Sequence, residues 1–202
     1  MLTLHEILDL GIMTFFIGFL FSDLFPRPAR IPPLNLDLPY TLPSRNLLNW
    51  ENIKYAALIA APGIILHELA HKFVANAFGL PATFHAFYAD PTIRFIGILA
   101  IILKLSGSGF FLVVPGFVTH PAAAPLINAV IAFSGPFLNF VLWFITWAVL
   151  KYRKIKNETS LHALIMTKKL NLLLFGFNMI PIPGFDGFQV FSSLLSFFLG
   201  SS

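Results

Sequence analysis

Apolar positions in this chain fall in long blocks with few charges, not in the alternation of a half-buried strand or the narrow stripe of a surface helix. The first block runs from Leu4 to Phe25, weakened early by Asp9 and Gly11. The second runs from Asn52 to Phe78 and closes on Gly79 and Pro81, which stop helices. The third, Leu126 to Leu150, begins with a Ser134-Gly135-Pro136 break, and the fourth, Ala163 to Ile180, ends at Pro181-Ile182-Pro183-Gly184. Blocks of this length match a hydrocarbon layer about 30 Å thick at a helical rise of about 1.5 Å per residue. The intervening text is different in kind. Prolines crowd the segment from Pro26 to Asn49 and deny it regular helix. Ile93 to Leu103 is about half a crossing, and Phe188 to Leu199 is again short. Phe110 to Val114, followed by Pro115-Gly116, predicts a short strand and turn that must line a protein-walled cavity or sit at the membrane interface, because lipid tolerates no open strand edge. The pattern predicts an all-α polytopic membrane protein with about four to six transmembrane helices and a small membrane-associated β segment.

Composition sharpens this. Of 202 residues, 57% are hydrophobic and 11% charged, and mean hydropathy is +0.81, against about 25% charged in an ordinary soluble domain. No Asp, Glu, Lys or Arg occurs from Leu105 to Leu150, and Asp186 is the sole charge from Leu170 onward. The net charge of +4 is concentrated in Lys151, Arg153, Lys154, Lys156, Lys168 and Lys169. It therefore marks a membrane-flanking loop, and no nucleic-acid partner is expected. The absence of cysteine excludes disulfides, thiolate ligands and a thiol nucleophile. His5, Glu6 and Asp9 replace the cationic start of a signal peptide, so the first block is read as a mature helix.

The chemistry lies in the second block, at Leu66-His67-Glu68-Leu69-Ala70-His71. Four residues span about 400° of helix, so His67 and His71 overlie each other and present half of a tetrahedral zinc site. Glu68 lies one position further round, where a general base would stand to take a proton from a zinc-polarised water. An unpaired Glu near a bilayer centre costs at least ~2.5 kcal/mol, which argues against a chance match. A catalytic zinc wants a third protein ligand and one open position. Asp186 is the candidate, in Asn178-Met179-Ile180-Pro181-Ile182-Pro183-Gly184-Phe185-Asp186-Gly187, where prolines and glycines let a carboxylate project towards a neighbouring helix. Its bland alternative is an N-cap of the next helix. His85 and His120 are competing ligands, read as loop or interface residues, with His85 the better of the two.

His67-Glu68-x-x-His71, Ser134-Gly135-Pro136-Phe137-Leu138-Asn139 and Asn178-x-x-Pro181-x-x-x-x-Asp186-Gly187, in that order, resemble the site-2 proteases, the intramembrane zinc metalloproteases. The resemblance covers about residues 52–190. It implies one Zn2+ per chain, held by His67, His71 and Asp186, with Glu68 activating the water. It also places Asn139 near the scissile peptide, as an oxyanion donor or a hold on the substrate backbone; an interhelical hydrogen bond is the plain alternative. Phe110 to Val118 is similar to the family's membrane-associated strand, where an extended substrate could add. The implied protein is a minimal archaeal or bacterial type of core without a PDZ domain. It forms one domain over 1–202, with an extra N-terminal span at 1–25. Its partners would be a transmembrane protein substrate and the lipid bilayer, and its place the cell membrane, multi-pass. Two other classes stand beside it: a non-catalytic metal-binding membrane protein and a small transporter with buried His and Asp along a path.

Overall fold

The computed structural model describes residues 2–28, 48–107 and 116–200. These form six helices and two short strands: α1 (Leu4–Phe21), α2 (Trp50–Ala77), β1 (Thr83–His85), α3 (Pro91–Ser106), β2 (Phe117–Thr119), α4 (Pro125–Tyr152), α5 (Glu158–Asn178) and α6 (Asp186–Leu199). Local chemistry sets the boundaries. The Thr3 hydroxyl accepts from the Glu6 amide while the Glu6 carboxylate closes back on the Thr3 amide, a capping box that starts α1. Asn49, Asp90 and Asn157 accept from first-turn amides at α2, α3 and α5. Gly107 and Gly200 end α3 and α6 in the left-handed conformation that side chains disfavour.

Helix α2 is the centre of the packing, against α1 on one side and α4 and α5 on the other, while α4 also carries α6. Met13, Phe16 and Ile17 of α1 meet Tyr55, Ile59 and Ala60 of α2, with Phe84 of β1 closing the same core. Gly18 brings α1 close to α2: a Cβ there would lie 2.7 Å from the Ile53 carbonyl oxygen and 2.8 Å from the Ala57 Cβ. The strands pair antiparallel, with Phe84 opposite Val118. Large apolar side chains remain exposed along the outer faces, among them Phe95, Ile102, Phe133, Phe137 and Phe144. On a chain this poor in charge, lipid is the solvent that suits them.

By length and composition α1, α2 and α4 are able to cross a membrane. Helix α5 has 21 residues but is not among them; Lys168, Lys169 and Asn171 interrupt its middle. The half-length stretch of the middle region is the 16-residue α3. The Ser-Gly-Pro break is a correction: α4 is one helix from Pro125 to Tyr152, with Pro136 inside it. Proline removes one backbone donor, and the freed groups can be satisfied by neighbours, which membrane helices permit. The strand expectation at Phe110–Val114, and most of the proline-rich segment, lie outside the described residues; the strand that follows them is Phe117–Thr119.

Candidate metal centre

His67 and His71 sit on the buried face of α2, one turn apart, with their rings at 82° to each other. Helix α6 brings the third group. The chain leaves α5, passes Pro181 and Pro183, and turns at Gly184, whose φ is +100°. Gly187 then lets the start of α6 pack on the end of α5, since a Cβ there would stand 2.5 Å from the Met179 carbonyl. The N-cap of α6 is Phe185, without a side-chain cap bond. Asp186, the first helical residue, turns its carboxylate inward instead. Its Oδ2 lies 2.9 Å from His67 Nε2 and 3.4 Å from His71 Nε2, and the two Nε2 atoms are 3.1 Å apart.

Hydrogen bonding decides which nitrogens face the centre. His71 Nδ1 lies 2.8 Å from the Ile131 carbonyl, which only accepts, so Nδ1 carries the proton. Asn139 Nδ2 donates to the Gly63 carbonyl at 3.0 Å and to Asn171 Oδ1 at 2.9 Å. That fixes the amide's orientation and leaves its Oδ1 to accept from His67 Nδ1 at 2.5 Å. Asn171 in turn donates to the Thr167 carbonyl at 2.8 Å. Both histidines are thereby held as the tautomer with an Nε2 lone pair turned inward.

In that tautomer two lone pairs and a carboxylate oxygen converge, an arrangement suited to a cation. Ligands ~2.0–2.1 Å from a tetrahedral ion lie roughly 3.3 Å from one another, close to the three separations found. Gly135 of α4 faces the same spot. A Cβ there would fall 2.6 Å from His67 Nε2, nearer still to His71 Nε2, and 2.7 Å from His71 Cε1. Only glycine leaves that space open. The His67, His71 and Asp186 cluster can hold a metal ion. Glu68 is buried next to it and makes no hydrogen bond or ion pair among the described residues.

The chain is 32% identical to the protein named "Putative zinc metalloprotease MJ0611" of Methanocaldococcus jannaschii, over 190 residues that make up 92% of this chain and 83% of the relative. The chain belongs to the MJ0611 family. A second relative, "Putative zinc metalloprotease YwhC" of Bacillus subtilis, is 25% identical over 161 residues, 70% of this chain and 69% of that protein. No family model matches the chain, and no solved structure gives a significant match.

In this MJ0611-family chain the other histidines stand apart from the centre. His85 Nε2 meets Thr119 Oγ1 at 3.0 Å across the sheet, and His120 Nδ1 meets the Pro121 carbonyl at 2.8 Å. Asn139 is fully buried, with both amide hydrogens engaged inside the protein. It makes the interhelical bond of the plain alternative, and in this arrangement has no hydrogen left for an oxyanion. Sequence reasoning missed Asn171, Gly135 as the open wall, and the Ile131 carbonyl. Asn171 had a visible signal, an amide between Leu170 and Leu172 at the start of the apolar second half of its helix. The carbonyl had none, because backbone direction depends on the fold.

Proposed function

We propose that the chain is an intramembrane zinc metalloendopeptidase of the site-2 protease type, which hydrolyses a peptide bond within or near a transmembrane segment of a substrate protein. The observation that supports this most is the convergence of His67 Nε2, His71 Nε2 and Asp186 Oδ2 in an apolar bundle, with the Glu68 carboxylate buried beside them and unbonded among the described residues. His67, His71 and Asp186 would hold the zinc. When bound, zinc acts as a Lewis acid on the scissile carbonyl and lowers the pKa of water. Glu68 takes a proton from the attacking water at its carboxylate and returns it to the leaving amine. Asn139 and the Ile131 carbonyl keep both imidazoles in the tautomer that can bind metal. The substrate segment lies extended beside the β1–β2 sheet, because a helical peptide bond is shielded by its own turn and must be unwound first. The multi-pass place in the cell membrane follows from the same reading, as does the lipid bilayer as partner.

The deciding experiment replaces Glu68 with Gln in the full chain, reconstituted with zinc, and follows cleavage of a model transmembrane substrate. The expected result is one zinc per chain and no cleavage. Retained cleavage would remove Glu68 from the mechanism. Zinc binding by the wild type without cleavage of any membrane substrate would favour a non-catalytic metal-binding protein.

A further inference from the structure

One edge of β1 pairs with β2. The other edge meets two acidic side chains of α1. Glu6 Oε1 accepts the Phe84 amide at 2.8 Å, and Asp9 Oδ2 accepts the Ala86 amide at 3.2 Å. Phe84 and Ala86 are two apart, so both amides point the same way from the strand. Glu6 and Asp9 are three apart on the helix and share a face. Three helical residues advance about 4.5 Å and two strand residues about 6.7 Å. The extra methylene of Glu over Asp helps to span the difference.

Both carboxylates are completely buried, and each has a second partner that ties the strand elsewhere. Glu6 Oε1 also takes the ammonium of Lys72, a buried residue that directly follows His71 on α2. Its Oε2 accepts the Thr3 amide at 2.9 Å. Asp9 Oδ1 accepts the Tyr88 hydroxyl just beyond the strand, and that bond pushes the Tyr88 phenol above its ordinary pKa. The strand edge, the first turns of α1 and the metal-bearing turn of α2 thus meet at two anions. Burying charge beside lipid is costly unless every partner is supplied, and here Glu6 is supplied from three elements. A strand edge buried against a helix still needs acceptors for its amides, and here two ionised side chains supply them, a costlier choice than neutral acceptors that asks for a reason.

We infer that Glu6 and Asp9 are positioning residues that hold the two-stranded sheet at a set height above the His67–His71 pair, and so determine which residue of an extended substrate reaches the metal centre. This rests on the peptidase reading and on the substrate lying beside the sheet. Shifting β1 by one residue would exchange the two faces of the strand and take Phe84 out of the core. A loosened clasp should therefore relax the choice of cleavage position before it affects the chemistry.

The test uses the full zinc-loaded chain in proteoliposomes with one model transmembrane substrate. Asp9→Asn is the main variant, since it leaves no buried charge behind: a neutral amide oxygen replaces the ionised acceptor of the Ala86 amide, and the Tyr88 hydroxyl must turn to accept from the new NH2 group. Glu6→Gln is the second. The measurements are zinc content, KM and kcat, the cleavage positions by mass spectrometry, and amide exchange over 82–88. The expected result for Asp9→Asn is full zinc, a kcat within about twofold of wild type and a KM raised about 3- to 10-fold, the scale of one hydrogen bond. Cleavage should appear at neighbouring bonds, and exchange in 82–88 should quicken. Faster exchange with a single unchanged cleavage position and unchanged KM overturns the inference, as does unchanged exchange. A zinc-loaded wild type that cleaves nothing overturns the peptidase reading itself, and the two failures are distinct.

Discussion

Replacing Asn139 with Ala separates two roles for this amide. In the structure it accepts from His67 Nδ1 and donates to the Gly63 carbonyl and to Asn171. The variant strips three buried groups of a partner. The two acceptors lose less, because a carbonyl oxygen short of a donor is tolerated better than an orphaned N–H. The His67 Nδ1 proton loses most, about 1–3 kcal/mol for an orphaned buried donor. His67 can escape by moving its proton to Nε2, but that blocks the nitrogen that faces the centre. Either way the cost falls on metal binding, and the loss of such an outer partner typically lowers affinity by about 10- to 100-fold. Competition between the purified protein and a chromophoric chelator in detergent measures this directly. The expected result is a zinc affinity lower by that factor, with a milder loss in Asn171→Ala, which leaves the His67 bond in place. Wild-type zinc affinity in Asn139→Ala would refute the reasoning. A kcat lower by about 10²–10³ with zinc affinity untouched would instead assign Asn139 to the oxyanion.

Two further outcomes follow from the same geometry. Gly135→Ala puts a methyl group between the two imidazoles, 2.6 Å from His67 Nε2; zinc content by elemental analysis should fall to background while far-UV circular dichroism keeps its helical form. Asp186→Asn keeps the shape but removes the only anion among the three converging groups, and should leave well under one zinc per chain; full zinc in this variant would mean that the third ligand lies elsewhere.

The helix that carries the two candidate histidine ligands could be read in advance because its signal is local: the i, i+4 spacing of His67 and His71 puts both on one face wherever the helix goes. Asp186 was legible for a different reason, as a lone charge in apolar text beside helix breakers. The clasp of Glu6 on Lys72 and Phe84 was not legible, since it joins positions 66 and 78 residues apart and only the docking of α1 on α2 brings them together. Asn139 was visible but its role was not, because an amide can donate or accept, and which it does depends on neighbours from α2 and α5. Pro136 misled because in water it would end a helix, whereas α4 continues through it.

The partner chosen for His67 carries an electrostatic consequence. Metal-binding histidines are often backed by a carboxylate; here the backing is a neutral amide, itself leaning on another neutral amide. With Asp186 and Glu68 ionised and both imidazoles uncharged, a divalent ion would bring the cluster to electroneutrality. A third anion behind His67 would leave a surplus negative charge in a medium of low permittivity. Asparagine orients the ring as firmly and leaves that balance undisturbed, a constraint that water would scarcely impose and that hydrocarbon makes severe.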